Sequence, residues 1–182
     1  AVYTSNFTVP TSPLTAIANT KLLTAHRNDQ IVDGSSSNHV ITKVGNATEH
    51  ASNPFGPVGY GSLYFDGTGD YLSIAHDQSF YDLGTADWTI ECWVYFTNRS
   101  VFNGIFQLGK NVGALAAMLY TDGKLKLLEN DQAIVFESNR TFSANTWYHI
   151  VYTNDDASNT QRLYVDGVAE ALELWPVIAF AP

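Results

Sequence analysis

Apolar and polar residues alternate along most of this chain, and turn residues interrupt the alternation about every 8–12 positions. The longest run is Trp88–Phe96, WTIECWVYF. Ile90, Cys92, Val94 and Phe96 point one way; Thr89, Glu91, Trp93 and Tyr95 point the other. Both faces are largely apolar, which predicts a central strand, with Trp93 and a later Trp147 in the core. Further strands are predicted at Gly104–Leu108, Leu115–Tyr120, Lys124–Leu128, Ala133–Glu137, Trp147–Thr153 and Gln161–Val165. Upstream, Lys21–His26 and His39–Val44 read as short strands on either side of a turn cluster, Asp33–Asn38. The stretch Ser62–Ile74, SLYFDGTGDYLSI, places two alternating runs around a Gly-rich turn carrying Asp66 and Asp70. Asp66–Gly67 is a strong hairpin signal and predicts that these two runs pair with each other. Asp122–Gly123 and Asp166–Gly167 are two more such turns, and Gln78–Leu83 suits one helical turn. Together these signals predict an all-β chain, a two-sheet antiparallel jelly-roll sandwich.

Residues 1–20 hold two Pro and many Thr and Ser without helical period, and predict an extended N-terminal arm that needs a neighbour to lie on. Residues 21–182 then form one jelly-roll domain. Hydrophobic residues make up 45% and charged ones 15%, enough for a core and unlike a disordered chain. The net charge of −9 and the lack of a basic patch argue against nucleic-acid binding. No run of about 18 apolar residues suggests a membrane span. A single Cys excludes an internal disulfide and favours a reducing site of synthesis or a microbial or viral origin. The abrupt start at Ala1 reads as a piece of something longer.

The order of motifs, SLYFDGTGDYLSI, FYDLGTADWTIECWVYF, NTWYHIVYTND and QRLYVDGVAEA, resembles the laminin-G-like branch of the concanavalin A-like jelly rolls. The opening, with Phe7–Ala16, Leu22–Thr24 and Ile31–Gly45, is similar to jelly-roll modules in virion proteins of tailed phages, especially marine ones. The resemblance covers roughly Tyr3–Ala171. It implies a non-enzymatic structural or adhesive module of a phage particle (tail fibre, capsid fibre or decoration) on the virion surface. Its partners would be other virion chains, further copies of itself as a homo-oligomer, and glycans of the host surface. A carbohydrate-binding module of a secreted bacterial enzyme or surface protein is the alternative. The end departs from the family: after LYVDG two or more closing strands are usual, and here ALELWPVIAFAP follows, with Pro176 and Pro182 around Val177–Phe180. An edge left open there would need a neighbouring chain, or more of the same chain, to cover it.

Glucanases of this superfamily place paired carboxylates on one strand, and retaining hydrolysis needs carboxyls about 5–5.5 Å apart. This chain has no such pair: Glu91 stands alone between Thr89 and Trp93, and Glu170 and Glu173 are not spaced for one face. Cys92 lies mid-strand, where a thiol is an inert small hydrophobe. The five His are scattered, His149 reads as structural, and no zinc spacing occurs. Calcium is the metal that relatives bind through loop carboxylates; Asp66, Asp70, Asp155 and Asp156 are candidates, although Asp66 and Asp70 also suit turn-shaping bonds to the backbone. No cofactor is expected. Tyr60, Tyr81, Trp88 and Trp175, near loops and strand ends, are the candidate sugar-stacking residues.

Overall fold

The alternating runs form strands, and the turn residues end them. The computed structural model describes residues 2–24, 31–56, 61–75, 86–109, 114–129, 133–158 and 160–174. The chain forms two compact units, Ala1–Val9 with Tyr81–Pro182, and Pro10–Phe80.

In Pro10–Phe80, β1 (Ile41–Val44) pairs antiparallel with β4 (Tyr71–Ile74), and β2 (Thr48–His50) with β3 (Ser62–Tyr64). The expected hairpin between the two runs of SLYFDGTGDYLSI is therefore corrected: β3 and β4 have different partners. The two ladders follow one another along a ribbon, and residues 65–70 bulge out opposite the shorter 45–47. Asp70 fixes the corner. Its Oδ1 accepts the Asn46 N–H at 2.7 Å and its Oδ2 the Asp66 N–H at 2.9 Å. Gly45, at φ 77°, leaves room for the Asp70 carboxylate where a Cβ would collide. Residues 21–24, expected as a strand, are irregular. Their backbone is organised by a side chain instead, because Asp33 Oδ1 accepts the Leu23 N–H. Residues 25 and 26 of that run lie outside the described residues, as does the helical turn expected at 78–83.

The other unit is a sandwich. One sheet has the order β12-β11-β10-β5, from β5 (Trp88–Tyr95), β10 (Trp147–Asp155), β11 (Thr160–Val165) and β12 (Val168–Ala169). The second has the order β13-β9-β8-β7-β6, from β6 (Asn103–Leu108), β7 (Leu115–Leu119), β8 (Leu125–Glu129), β9 (Ala133–Ser138) and β13 (Leu172–Leu174). All pairings are antiparallel. Two of the Asp–Gly turns close hairpins as expected, β7–β8 and β11–β12; Asp166 and Gly167 both take positive φ, as a two-residue turn requires. The inner faces meet in a core of Phe96, Leu119, Leu125, Leu127, Phe136, Phe142, Ile150, Tyr152, Leu163 and Val165. Among the described residues there is no helix.

Two expectations for WTIECWVYF are corrected. β5 stands at the edge of the described four-stranded sheet, with β10 alone as its partner. Among the described residues its two apolar faces are covered from above and below rather than flanked by strands on both sides. Trp93 and Trp147 belong to the outer face, not the core. Register places them with His149 and Tyr95 respectively, while Trp88, Cys92 and Val94 pack on the core.

Candidate functional site

The outer face of the four-stranded sheet mixes polar and apolar side chains and is closed in structure. β5, β10 and β11 set Glu91, Val151 and Tyr164 in one row, with Trp93 and His149 in the next. Residues 2–9 lie over them. The Phe7 N–H donates to Gly167 O at 2.9 Å, and the Ala169 N–H donates to Asn6 Oδ1 at 2.8 Å. Gly167 has to be glycine here, because a Cβ would strike Phe7 O. Tyr3 stacks on Phe7 at 3.8 Å, and Phe7 packs edge-on against His149 and Tyr164.

Beneath this strap, Glu91 Oε1 accepts two bonds, from Tyr3 OH at 3.0 Å and from His149 Nε2 at 2.8 Å. Burial and the neighbouring Glu91 carboxylate push the Tyr3 hydroxyl up to about 12. His149 is fully buried, and its Nδ1 has no hydrogen-bond partner among the described residues. Burial, then Glu91, pushes the Cys92 thiol up to about 12, so it is protonated and unreactive at neutral pH. Glu91 is thus occupied in holding the chain's own N-terminal segment.

The outer face of the five-stranded sheet carries a second charged cluster. Lys126 Nζ sits 2.8 Å from Asp122 Oδ2 and 3.0 Å from Glu137 Oε2, and Lys124 Nζ donates to Glu137 Oε1 at 2.6 Å. Lys126 Nζ also stands 4.5 Å from the centre of the Tyr120 ring, against which Phe102 packs. Sequence reasoning missed Phe102. The signal was Asn98–Arg99–Ser100–Val101–Phe102–Asn103: two large apolar residues inside an Asn- and Ser-rich loop between two strands.

Of the residues expected to stack on sugar, Tyr60, Tyr81 and Trp175 lie outside the described residues. Trp88 is half-buried and packs on the core. The loop carboxylates bind backbone: Asp66 Oδ1 accepts the Thr68 N–H at 2.7 Å, and Asp155 Oδ1 accepts the Ser158 N–H at 3.3 Å. The Asp156 N–H donates to Asp87 Oδ1. Among the described residues no three His, Cys, Asp or Glu gather as a metal site would need. Glu129, half-buried at the end of β8, is raised above the usual carboxylate range by burial.

Two antiparallel sheets closing on one apolar core, with Asp–Gly hairpins joining their strands, define a lectin-like sandwich. The family model described as the concanavalin A-like lectin/glucanases superfamily, laminin G type, matches residues 66–172, and the chain belongs to that family. No curated protein and no solved structure matches it significantly.

Proposed function

We propose that this chain is a non-enzymatic structural and adhesive module of a phage particle, a fibre or decoration component that assembles with other virion chains and touches host-surface glycan. The observation that carries the non-enzymatic reading is the state of two strand carboxylates, Glu91 and Glu137. Glu91 is tied to Tyr3 and His149 under the strap, and Glu137 is tied to Lys124 and Lys126. A glycosidase needs one carboxyl poised to give a proton and a second facing it across the substrate. Both of these groups are instead spent on holding structure. The similarity of Phe7–Ala16 and Ile31–Gly45 to virion modules supports the particle context. Repeated copies on one particle would convert weak single contacts into firm attachment.

Mass spectrometry and antibody labelling of purified particles test the assignment. The chain is expected in the particle, at its surface, in stoichiometric amounts. Its absence from particles, or release of reducing sugar from a laminarin-type glucan by the purified chain, overturns the reading.

A further inference from the structure

We propose that Phe102, standing at one end of the outer face of the five-stranded sheet, is the stacking platform for a neutral sugar ring. The proposal rests on the adhesive part of the reading above and gives it a site.

Val101 and Phe102 are adjacent, large, apolar and exposed, at 49% and 61%. Their loop is nevertheless tied by hydrogen bonds of its own. The Ser100 N–H donates to Asn98 Oδ1 at 2.8 Å, and Asn103 Nδ2 donates to the carbonyls of Asn98 and Val101, each at 2.9 Å. Arg99 of the same loop reaches the turn at Gly123, where its guanidinium would press on any added Cβ. Tyr120 braces the Phe102 ring at 4.8 Å and nearly perpendicular, 87°. A ring braced by a neighbour in water gives up part of its conformational freedom before a ligand arrives, which favours a preorganised contact.

The surroundings select the ligand. Behind the bracing Tyr120 ring, Lys126 Nζ stands 4.5 Å from its centre and is joined to Asp122 and to Glu137, which also holds Lys124. Lys126 and Glu137 are buried, and Asp122 and Lys124 are the more exposed members. Asp122 keeps 46% of its side chain exposed and so has acceptor capacity left for hydroxyl groups. An aromatic face beside fixed donors and acceptors suits the C–H face and hydroxyl rim of a hexose. Asp122, Glu137, Lys124 and Lys126 carry no net charge between them and Arg99 adds one positive charge, while the whole chain carries −9, so the long-range field repels an acidic glycan. A protein partner fits less well. It needs about 800 Å² on each side around an apolar centre, and here charged groups begin directly beyond two apolar side chains.

The full chain, tetramerised for avidity, is applied to an array of neutral and acidic oligosaccharides, and hits are titrated by calorimetry. Neutral glycans are expected to bind, and Phe102→Ala to weaken them about tenfold or more. Tyr120→Ala should weaken them too by releasing the brace, whereas Tyr71→Ala, in Pro10–Phe80, should not. Circular dichroism confirms that each variant is folded. A blank array, hits confined to sialylated or sulfated glycans, or undiminished binding by Phe102→Ala overturns the proposal. So does loss of self-association in Phe102→Ala, which would make the loop a protein contact. Hits that survive Phe102→Ala remove this platform and leave the adhesive reading standing; absence of the chain from particles removes the virion reading and leaves the platform.

Discussion

The two units of this chain are held together by different physics. Among the described residues, Ala47 is the one buried apolar side chain of Pro10–Phe80, and all the others belong to the sandwich. The buried groups of Pro10–Phe80 also include Asp33 and Ser35. Asp33 Oδ1 accepts the N–H groups of Leu23 and Ser35, and its Oδ2 accepts Ser35 Oγ, the His39 N–H and His39 Nδ1. One carboxylate thereby orders a segment with few backbone ladders of its own. The sandwich is stabilised by area removed from water, which has no preferred direction. The smaller unit relies on directed bonds to a few acids, which depend on charge state.

The difference can be broken at either side. The largest loss is expected from Phe136→Ala in the sandwich core, about 3–5 kcal/mol by denaturant unfolding. Next comes Asp33→Asn, about 1.5–3 kcal/mol. Hydrogen exchange should then show residues 31–44 losing protection while β10 and β11 keep theirs. Equal loss in both units would show that they do not differ in this way. The pH dependence sharpens the same contrast. Burial pushes the Asp33 carboxyl up, but the N–H groups of Leu23, His39 and Ser35 and the His39 side chain outweigh it and hold the group well below its ordinary 3.8. Its folded value is depressed, so its stabilisation is complete above pH 3.8 and drains as pH falls toward that lower value. Exchange protection at 31–44 should fall on acidification in the parent and change less in Asp33→Asn. Tyr3→Phe, which removes one bond to Glu91, should cost about 0.5–1.5 kcal/mol, read as a lower melting temperature. The smallest global effect is expected from Asp70→Ala at its exposed corner: faster exchange at the Asn46 and Asp66 amides with little change in melting.

The strands of the sandwich were legible in the sequence to within a residue or two, from Asn103–Leu108 to Thr160–Val165, because each combines period-two alternation with a chemically marked end. What alternation does not encode is the partner. Asp66–Gly67 marked where β3 stops, but Asp70 bonding to Asn46 decided that β4 pairs with β1. Likewise, alternation showed that both faces of β5 are covered without showing that residues 2–9 supply one cover. Trp93 was assigned inward for that reason. Residues 21–24 were unreadable as coil because what organises them is a carboxylate ten positions away. Among the candidate binding groups, the carboxylates of the FDGTGDY turn were legible as turn-shaping groups. Phe102 was not, since an exposed aromatic stands out only once its loop's hydrogen bonds and its contact with Tyr120 are seen.

The way residues 2–9 attach also governs how the sandwich carries mechanical load. The strap is pinned at Gly167 and Ala169, and the chain passes from β12 into β13 only three residues later. Tension between the segment before Phe7 and the segment after Leu174 therefore enters and leaves the fold beside the same hairpin. A pull on both ends loads two short attachments before it reaches the apolar interior: the bonds of Asn6 and Phe7 to the hairpin, and the three-residue ladder of β13 on β9.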